Sequence, residues 1–308
     1  MCILPRRKFI LIFMKYSYIL CCCILLFSAA SAQEKVRLRA SYNEGDKFLY
    51  KMSCSSKTSR EGVASLFTLM KFEFEFLVGK LNTRKQQEIT LRYKNIAYLV
   101  SPDGKKFVFG YDSKFEHPIE IDSSKQANIL MYDVFQEVFS GMIDQEFSIY
   151  IAEDGNLVNV LGVDKMVDNI VDNSVAIPGE FKPGLRTALK QSMNNEFMKK
   201  QMNAAFNTMP GKPVGVNDSF DADIEFAGGI IHGNYTVQKI DKKTVTLLAK
   251  GNISSGENNV DGTTGGTIVL DRSNGMTKLG DIKTIVNVRV NDRIISTETD
   301  VVISSEKI

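Results

Sequence analysis

The sequence predicts a mainly β protein with a helical middle (α+β). The expected form is curved antiparallel sheets or a half-barrel, made from two β halves and covered by three to four amphipathic helices. Three observations carry this. Segments on both sides of the middle alternate apolar and polar residues with a period of two, as half-buried strands do. From Gly162 to Pro213 that alternation gives way to helical spacing. No Pro/Ser-rich linker parts the halves, so residues 33–308 read as one domain: 33–125 the N-terminal β half, 126–213 a helical middle with one hairpin, and 214–308 the C-terminal β half.

Taken in order, Val36 to Ser41 alternates and reads as a first strand. Gly45-Asp46 turns into a strand with Phe48, Tyr50, Met52 and Cys54 on one face. Met70, Phe72, Phe74 and Phe76 then alternate with Lys71, Glu73 and Glu75, a wall of aromatics with a wet reverse side. Ile89, Leu91 and Tyr93 run on through Ile96, Tyr98 and Val100 to the turn Ser101-Pro102-Asp103-Gly104, from which Phe107, Phe109 and Tyr111 return. Met131, Val134, Phe135, Val138, Phe139 and Met142 keep helical spacing. Phe147, Ile149 and Ile151 lead to the hairpin turn Glu153-Asp154-Gly155-Asn156, and Leu157, Val158 and Val160 lead away from it.

Val163, Met166, Val167, Ile170 and Val171 form one helical face, with Asp164 favouring the positive end of the dipole. Pro183 opens a second helix, whose stripe is Leu185, Ala188, Leu189 and Met193. Met198, Met202, Ala205, Phe206 and Met209 form a third stripe rotated away from the second. This rotation predicts a break at Asn194-Asn195, with Asn195 capping the third helix. Pro210-Gly211-Lys212-Pro213 ends it. Beyond, Phe220 to Phe226, Tyr235 to Val237 and Val245 to Ala249 read as strands, and Gly251 to Gly266 as a polar, glycine-rich loop. Ile268 and Leu270 turn through Arg272-Ser273-Asn274-Gly275, and Ile282 to Val290 and Ile294 to Ser304 complete the β half.

The two halves resemble each other. Phe76-Leu77-Val78-Gly79-Lys80-Leu81 parallels Tyr235-Thr236-Val237-Gln238-Lys239-Ile240, and Ile89-Thr90-Leu91 is set against Val245-Thr246-Leu247. Both halves open on an Asp-containing turn before Phe, at Asp46 and at Asp218. A duplication explains this; the alternative is that any two amphipathic hairpins look alike.

Residues 1–32 read as a signal peptide. Arg6, Arg7 and Lys8 precede an apolar run from Tyr18 to Phe27, and Ala30-Ser31-Ala32 is a cleavage site. Met14-Lys15 offers an alternative start to Met1. The apolar run is shorter than the ~20 residues of a spanning helix, so no transmembrane segment is expected in the mature chain. Export to the periplasm or the exterior follows as an expectation. Lys+Arg total 38 against 36 Asp+Glu, but Arg6, Arg7, Lys8 and Lys15 leave with the peptide, so the mature chain is acidic by two and holds no basic block suited to nucleic acid. Of five cysteines only Cys54 stays, which precludes an internal disulfide. Its place in the alternation makes it a small buried hydrophobe.

The chemistry sought is largely missing. His117, before Pro118, and His232 have no metal-ligand spacing to another His or Cys. The sequence holds no H-E-x-x-H, no G-x-S-x-G and no phosphate-cradling glycine loop, so no catalytic residue, metal or cofactor is assigned. Asp218, Asp221 and Asp223 lack the rhythm of a calcium loop and read as a solvated face.

Asp154 to Asp164, Met209 to Phe220 and Gly265 to Met276 together resemble a family of secreted bacterial proteins known only as a domain of unknown function, over about Val36 to Ser304. The family has Gly-Asp-Ser-Trp after Lys-Pro-Val; here Asn217-Asp218-Ser219-Phe220 stands there, and the chain has no Trp. The resemblance implies location and extent, with no activity. The expected function is therefore that of an exported, non-catalytic envelope or secreted protein binding a protein partner or an apolar ligand. A lipid or lipoprotein carrier with a half-barrel cavity is the alternative, and a hydrolase with a dispersed site the second. Met198, Met202, Phe206 and Met209 are the candidate ligand-binding residues, since methionine faces adapt to apolar shapes. The competing reading has the same stripe simply packing on the sheet.

Overall fold

A computed structural model describes residues 35–60, 63–120, 126–206, 209–226, 229–255, 260–290 and 293–308, with the side chains of 126–131, 201, 204–206, 225–226 and 229 set aside. The expected signal peptide lies outside the described residues. The strands are β1 (Lys47–Arg60), β2 (Val63–Leu81), β3 (Gln87–Ser101), β4 (Phe109–Asp112), β5 (Glu146–Ile151), β6 (Leu157–Leu161), β7 (Ser219–Phe226), β8 (Gly229–Ile240), β9 (Thr244–Ser255), β10 (Val260–Asp271), β11 (Thr277–Val290) and β12 (Arg293–Lys307). The helices are α1 (Gln126–Met142), α2 (Val163–Asn173), α3 (Lys182–Ser192) and α4 (Asn195–Phe206). None of them is long and apolar enough to cross a membrane.

The protein is mainly β, and its strands form one open antiparallel sheet rather than several. The order is β6-β5-β3-β2-β1-β12-β11-β10-β9-β8-β7, with β4 on β3. The first and last strands meet at its centre, where Cys54 of β1 lies between Met70 of β2 and Val301 of β12. The edge strands β6 and β7 both pack on α4, so the sheet curves with its concave side toward that helix. Side-chain alternation sorts the faces: Phe76, Leu91 and Phe147 point into the core beside Met166 and Ile170 of α2. A second cluster joins Phe220, Tyr235, Val237, Leu247 and Ile268 to Val36, Leu38 and Val214.

Each half repeats one geometry. In the first, the Gly45 amide donates to Val78 O and the Val78 amide to Asp46 O, both at 2.9 Å. In the second, Asn217 donates to Val237 O at 2.8 Å and Val237 to Asp218 O at 2.9 Å. Gly45 and Asn217 share positive φ, 85° and 70°. The register repeats too: Val78 pairs with Ile89 and Ile89 with Ile149, as Val237 pairs with Leu247 and Leu247 with Ile268. Ile89 is thus equivalent to Leu247, two residues beyond the match drawn from sequence, because the path from Val237 to Leu247 is one residue shorter than that from Val78 to Ile89, not the three that match required.

Two further expectations are corrected. Val36 to Ser41 makes one bridge, Val36 to Val214, rather than a strand, although Val36, Leu38 and Ala40 are buried on alternate positions as predicted, and Tyr42 continues the row. Gly251 to Gly266 is not a loop. Gly251 pairs with Thr264 and Gly265 with Lys250, and only 256–259 lie outside the described residues. Its glycines serve close approach instead: a Cβ on Gly266 would run into the Asp281 carbonyl of β11.

The helices also depart from the expected cover. They pack at the flanks, α1 on β4, α2 on β5 and α4 on β6 and β7, and do not form a layer over the central strands. The break before α4 is where the stripes predicted it, but Asn194, not Asn195, caps that helix, accepting the Phe197 amide at 2.8 Å. Pro183 takes the second position of α3 rather than the first.

Candidate functional site

The site grows from the concave face of β2, β1, β12 and β11. Met52 pairs with Phe72 on one side and Ile303 on the other, Cys54 with Met70 and Val301, and Val301 with Ile282. Cys54 is buried, and burial pushes its thiol pKa up, so it is a packing group rather than a nucleophile. Met52, Met70, Phe72, Val301, Ile303 and Ile282 are half-buried. Strand periodicity aims all six at one face, and the flanking helices leave that face partly open.

Farther along the same face the lining turns to hydroxyls. Ser56 Oγ meets Thr299 Oγ1 at 3.1 Å, Thr58 meets Thr297 at 3.1 Å, and Thr264 meets Thr284 at 2.9 Å. These cross-strand pairs satisfy one another, so the face becomes polar without orphaned groups. Toward the opposite end Tyr50 and Phe74 lead into the packed core, where Tyr50 stacks on Phe76 at 5.2 Å. Burial pushes the Tyr50 hydroxyl pKa above its ordinary value.

The four residues singled out in α4 and after it divide. Met198 and Met202 are half-buried against the core of the N-terminal half. The side chain of Phe206 lies outside the described residues. Met209 is clasped between two turns: a Cβ on Gly155 would come 2.7 Å from its Sδ, and one on Gly275 would overlap its Cε. Gly155 follows β5 and Gly275 follows β10, equivalent places in the two halves, and φ is 89° and 73°. Of the concave strand residues, Met70 and Phe72 were visible in the sequence as part of a wall of aromatics. Periodicity assigns a face but does not reveal whether anything covers it.

The histidines stand apart from this face. His117 Nδ1 lies 2.7 Å from Asp112 Oδ2, with its ring edge-on to Phe107. Burial pushes the Asp112 carboxyl up, but bonds from the His117 ring and the Lys114 and His117 amides outweigh it and hold the pKa below the usual range. His232 pairs with Asp223 at 3.0 Å on the exposed outer side of β7 and β8. Asp221 accepts from Asn234, and Asp218 from the Gly215 amide, so the three aspartates do not converge. Among the described residues no group of three His, Cys, Asp or Glu side chains is placed to hold a metal.

Two polar hollows mark the end of the sheet where β2 turns into β3. One, of about 330 Å³, is lined by Arg37, Arg39, Arg84, Lys85, Glu153 and Asp154 among others. The other, of about 510 Å³, is lined by Lys242, Lys243, Asp271, Arg272 and Ser273.

The model of a family of unknown function (DUF6263) matches residues 89–277. No curated protein matches the chain. Among solved structures, Pseudomonas aeruginosa OccK5 (OpdH) shares 7% identity at a TM-score of 0.23, over 86% of this chain and 98% of that one. An outer membrane channel from Pseudomonas putida F1 shares 7% at 0.19, over 87% and 97%. Salmonella typhi OmpF, in complex with daunomycin, shares 8% at 0.20, over 87% and 100%. Likeness at that level carries no argument about this chain.

Proposed function

Since the chain belongs to this family of unknown function, no activity comes with its membership, and we propose that it is an exported, non-catalytic envelope or secreted protein that holds an apolar ligand, as a half-barrel lipid or lipoprotein carrier does. The half-barrel is the curved sheet, made from two duplicated halves, and the helices are its side walls. The observation that carries the reading is the row Met52, Met70, Phe72, Ile282, Val301 and Ile303, aligned on the concave face and only half-buried there. Apolar side chains left partly open in a concavity lose the stabilisation of full burial unless something fills the space. Met198 and Met202 pack on the same core as Phe72 of this row, and Phe206 follows one turn later on α4. Methionine suits a wall that must fit varied shapes.

The test pairs an apolar fluorescent probe with thermal unfolding. Wild type is expected to bind the probe. Met52→Gln with Met70→Gln is expected to abolish binding while a cooperative transition survives, and Met202→Gln with Phe206→Gln to weaken it. If the second pair instead unfolds the protein, at roughly 2–5 kcal/mol per large side chain lost, α4 is core. A wild-type protein that binds no probe ends the reading.

A further inference from the structure

The two polar hollows are the same place in the two halves. Arg84 and Lys85 sit in the turn after β2, and Lys242 and Lys243 in the turn after β8. β2 and β8 are equivalent through the matched bonds of Val78 and Val237. Each basic pair faces the turn that follows the next strand of its half, Ala152 to Asp154 or Asp271 to Ser273. The segment carrying Arg37 and Arg39 runs between them: Ala40 donates to Glu153 O at 3.1 Å, and Arg39 O lies 3.0 Å from where a Cβ on Gly275 would stand.

Three of the acids at this end are paired with cations outside the two basic pairs, while Asp154 lines the first hollow and accepts from Asn156 at 2.8 Å. Glu153 is held by Arg39, Asp241 by Lys239 at 3.0 Å and Asp271 by Lys278 at 3.5 Å. Arg84, Lys85, Lys242 and Lys243 are exposed and make no ion pair among the described residues. The whole chain is near neutral, with 38 Lys+Arg against 36 Asp+Glu, so this surplus reflects placement and not composition. Beside it stand two exposed apolar side chains, Leu81 and Ile308, each 59% accessible. Ile308 is tied to this end by its amide, 3.0 Å from Lys47 O.

We propose that this turn end is a docking surface for an anionic phospholipid bilayer, with the paired cations reading headgroup phosphates and Leu81 and Ile308 entering the interface. Cations spread over two separate turns suit a surface of repeated charges better than a single acidic protein epitope, and apolar tips among cations suit a boundary that is polar outside and oily within. Docked this way, the hydroxyl-lined end of the concave face points away from the bilayer, so the surface tethers the protein. The inference does not depend on the ligand reading.

The experiment is flotation of the mature chain with phosphatidylcholine vesicles, with and without phosphatidylglycerol. Binding is expected only with phosphatidylglycerol, weakening as salt screens the charges. Each cation near the surface is expected to contribute roughly fivefold. Arg84→Ser with Lys85→Ser and Lys242→Ser with Lys243→Ser should therefore each cut binding by more than tenfold, to similar extents, and the four together should abolish it. Lys105→Ser, at the other end of β3, should leave it unchanged. Equal binding to both vesicle types, no loss from either pair, or binding to polyglutamate without binding to vesicles would each overturn the proposal; the last would make the partner an acidic protein. Unfolding temperatures of the variants, expected to match wild type, exclude a folding defect as the cause.

Discussion

Asn195 begins α4, yet its Oδ1 accepts the amide of Val163, the first residue of α2, at 3.0 Å. Its Nδ2 donates to Asp164 Oδ2 at 2.6 Å. The residue before α2 is Gly162, with φ 97° and no side chain to offer, so the helix takes its cap from another helix. Asn194 and Asn195 thus divide the work, one capping its own helix and the other tying α2 to α4.

Asn195→Ala is expected to destabilise the protein by about 1 kcal/mol, the usual cost of a lost N-cap. Asn195→Asp, which keeps an acceptor but places it against Asp164, should not fully rescue it. Urea unfolding measures both, and an Asn195→Ala midpoint equal to wild type would show that the bridge contributes nothing.

Gly155 and Gly275 leave room for Met209 and hold positive φ, so alanine at either position should destabilise for two reasons, overlap and backbone strain. The overlap is relieved by Met209→Ala and the strain is not. A double-mutant cycle of Gly155→Ala with Met209→Ala is therefore expected to show a coupling of about 0.5–3 kcal/mol. Strict additivity would remove Met209 from its place between the turns.

The Asp112 carboxyl is held below its ordinary range by His117 and two amides despite its burial. A depressed folded pKa stabilises above the unfolded value, about 3.9, and that contribution fades as pH falls through the folded one. Asp112→Asn should therefore be less stable than wild type at neutral pH, with the gap narrowing on the acid side. Denaturation curves across pH test it; a gap that widens on acidification would reverse the sign.

Cys54 is buried with its thiol pKa raised, so a thiol reagent is expected to label the native protein slowly and the unfolded protein fast. Labelling at equal rates with and without denaturant would place Cys54 in the open.

Export is expected to remove residues 1–32, leaving Gln33 first and a single thiol in the chain. Intact-mass measurement of exported protein decides this. A mature start at Cys21, Cys22 or Cys23 carrying acyl chains would make the protein lipid-anchored instead.

Periodicity by itself determined the strand faces, the helical middle, its break at Asn194-Asn195 and the burial of Cys54. These are local properties, set by which side of a strand or helix a residue faces. The tertiary structure alone decided that β1 and β12 meet at the centre of one sheet, because pairing depends on residues far apart in the chain. It made strands of Gly251 to Gly266, where the missing side chains permit close approach that composition reads as a loop. It gave Asn195 to α2 and placed Met209 between Gly155 and Gly275. It also left Met52, Phe72 and Ile303 half-open, since alternation assigns a side chain to a face and only packing decides what covers that face.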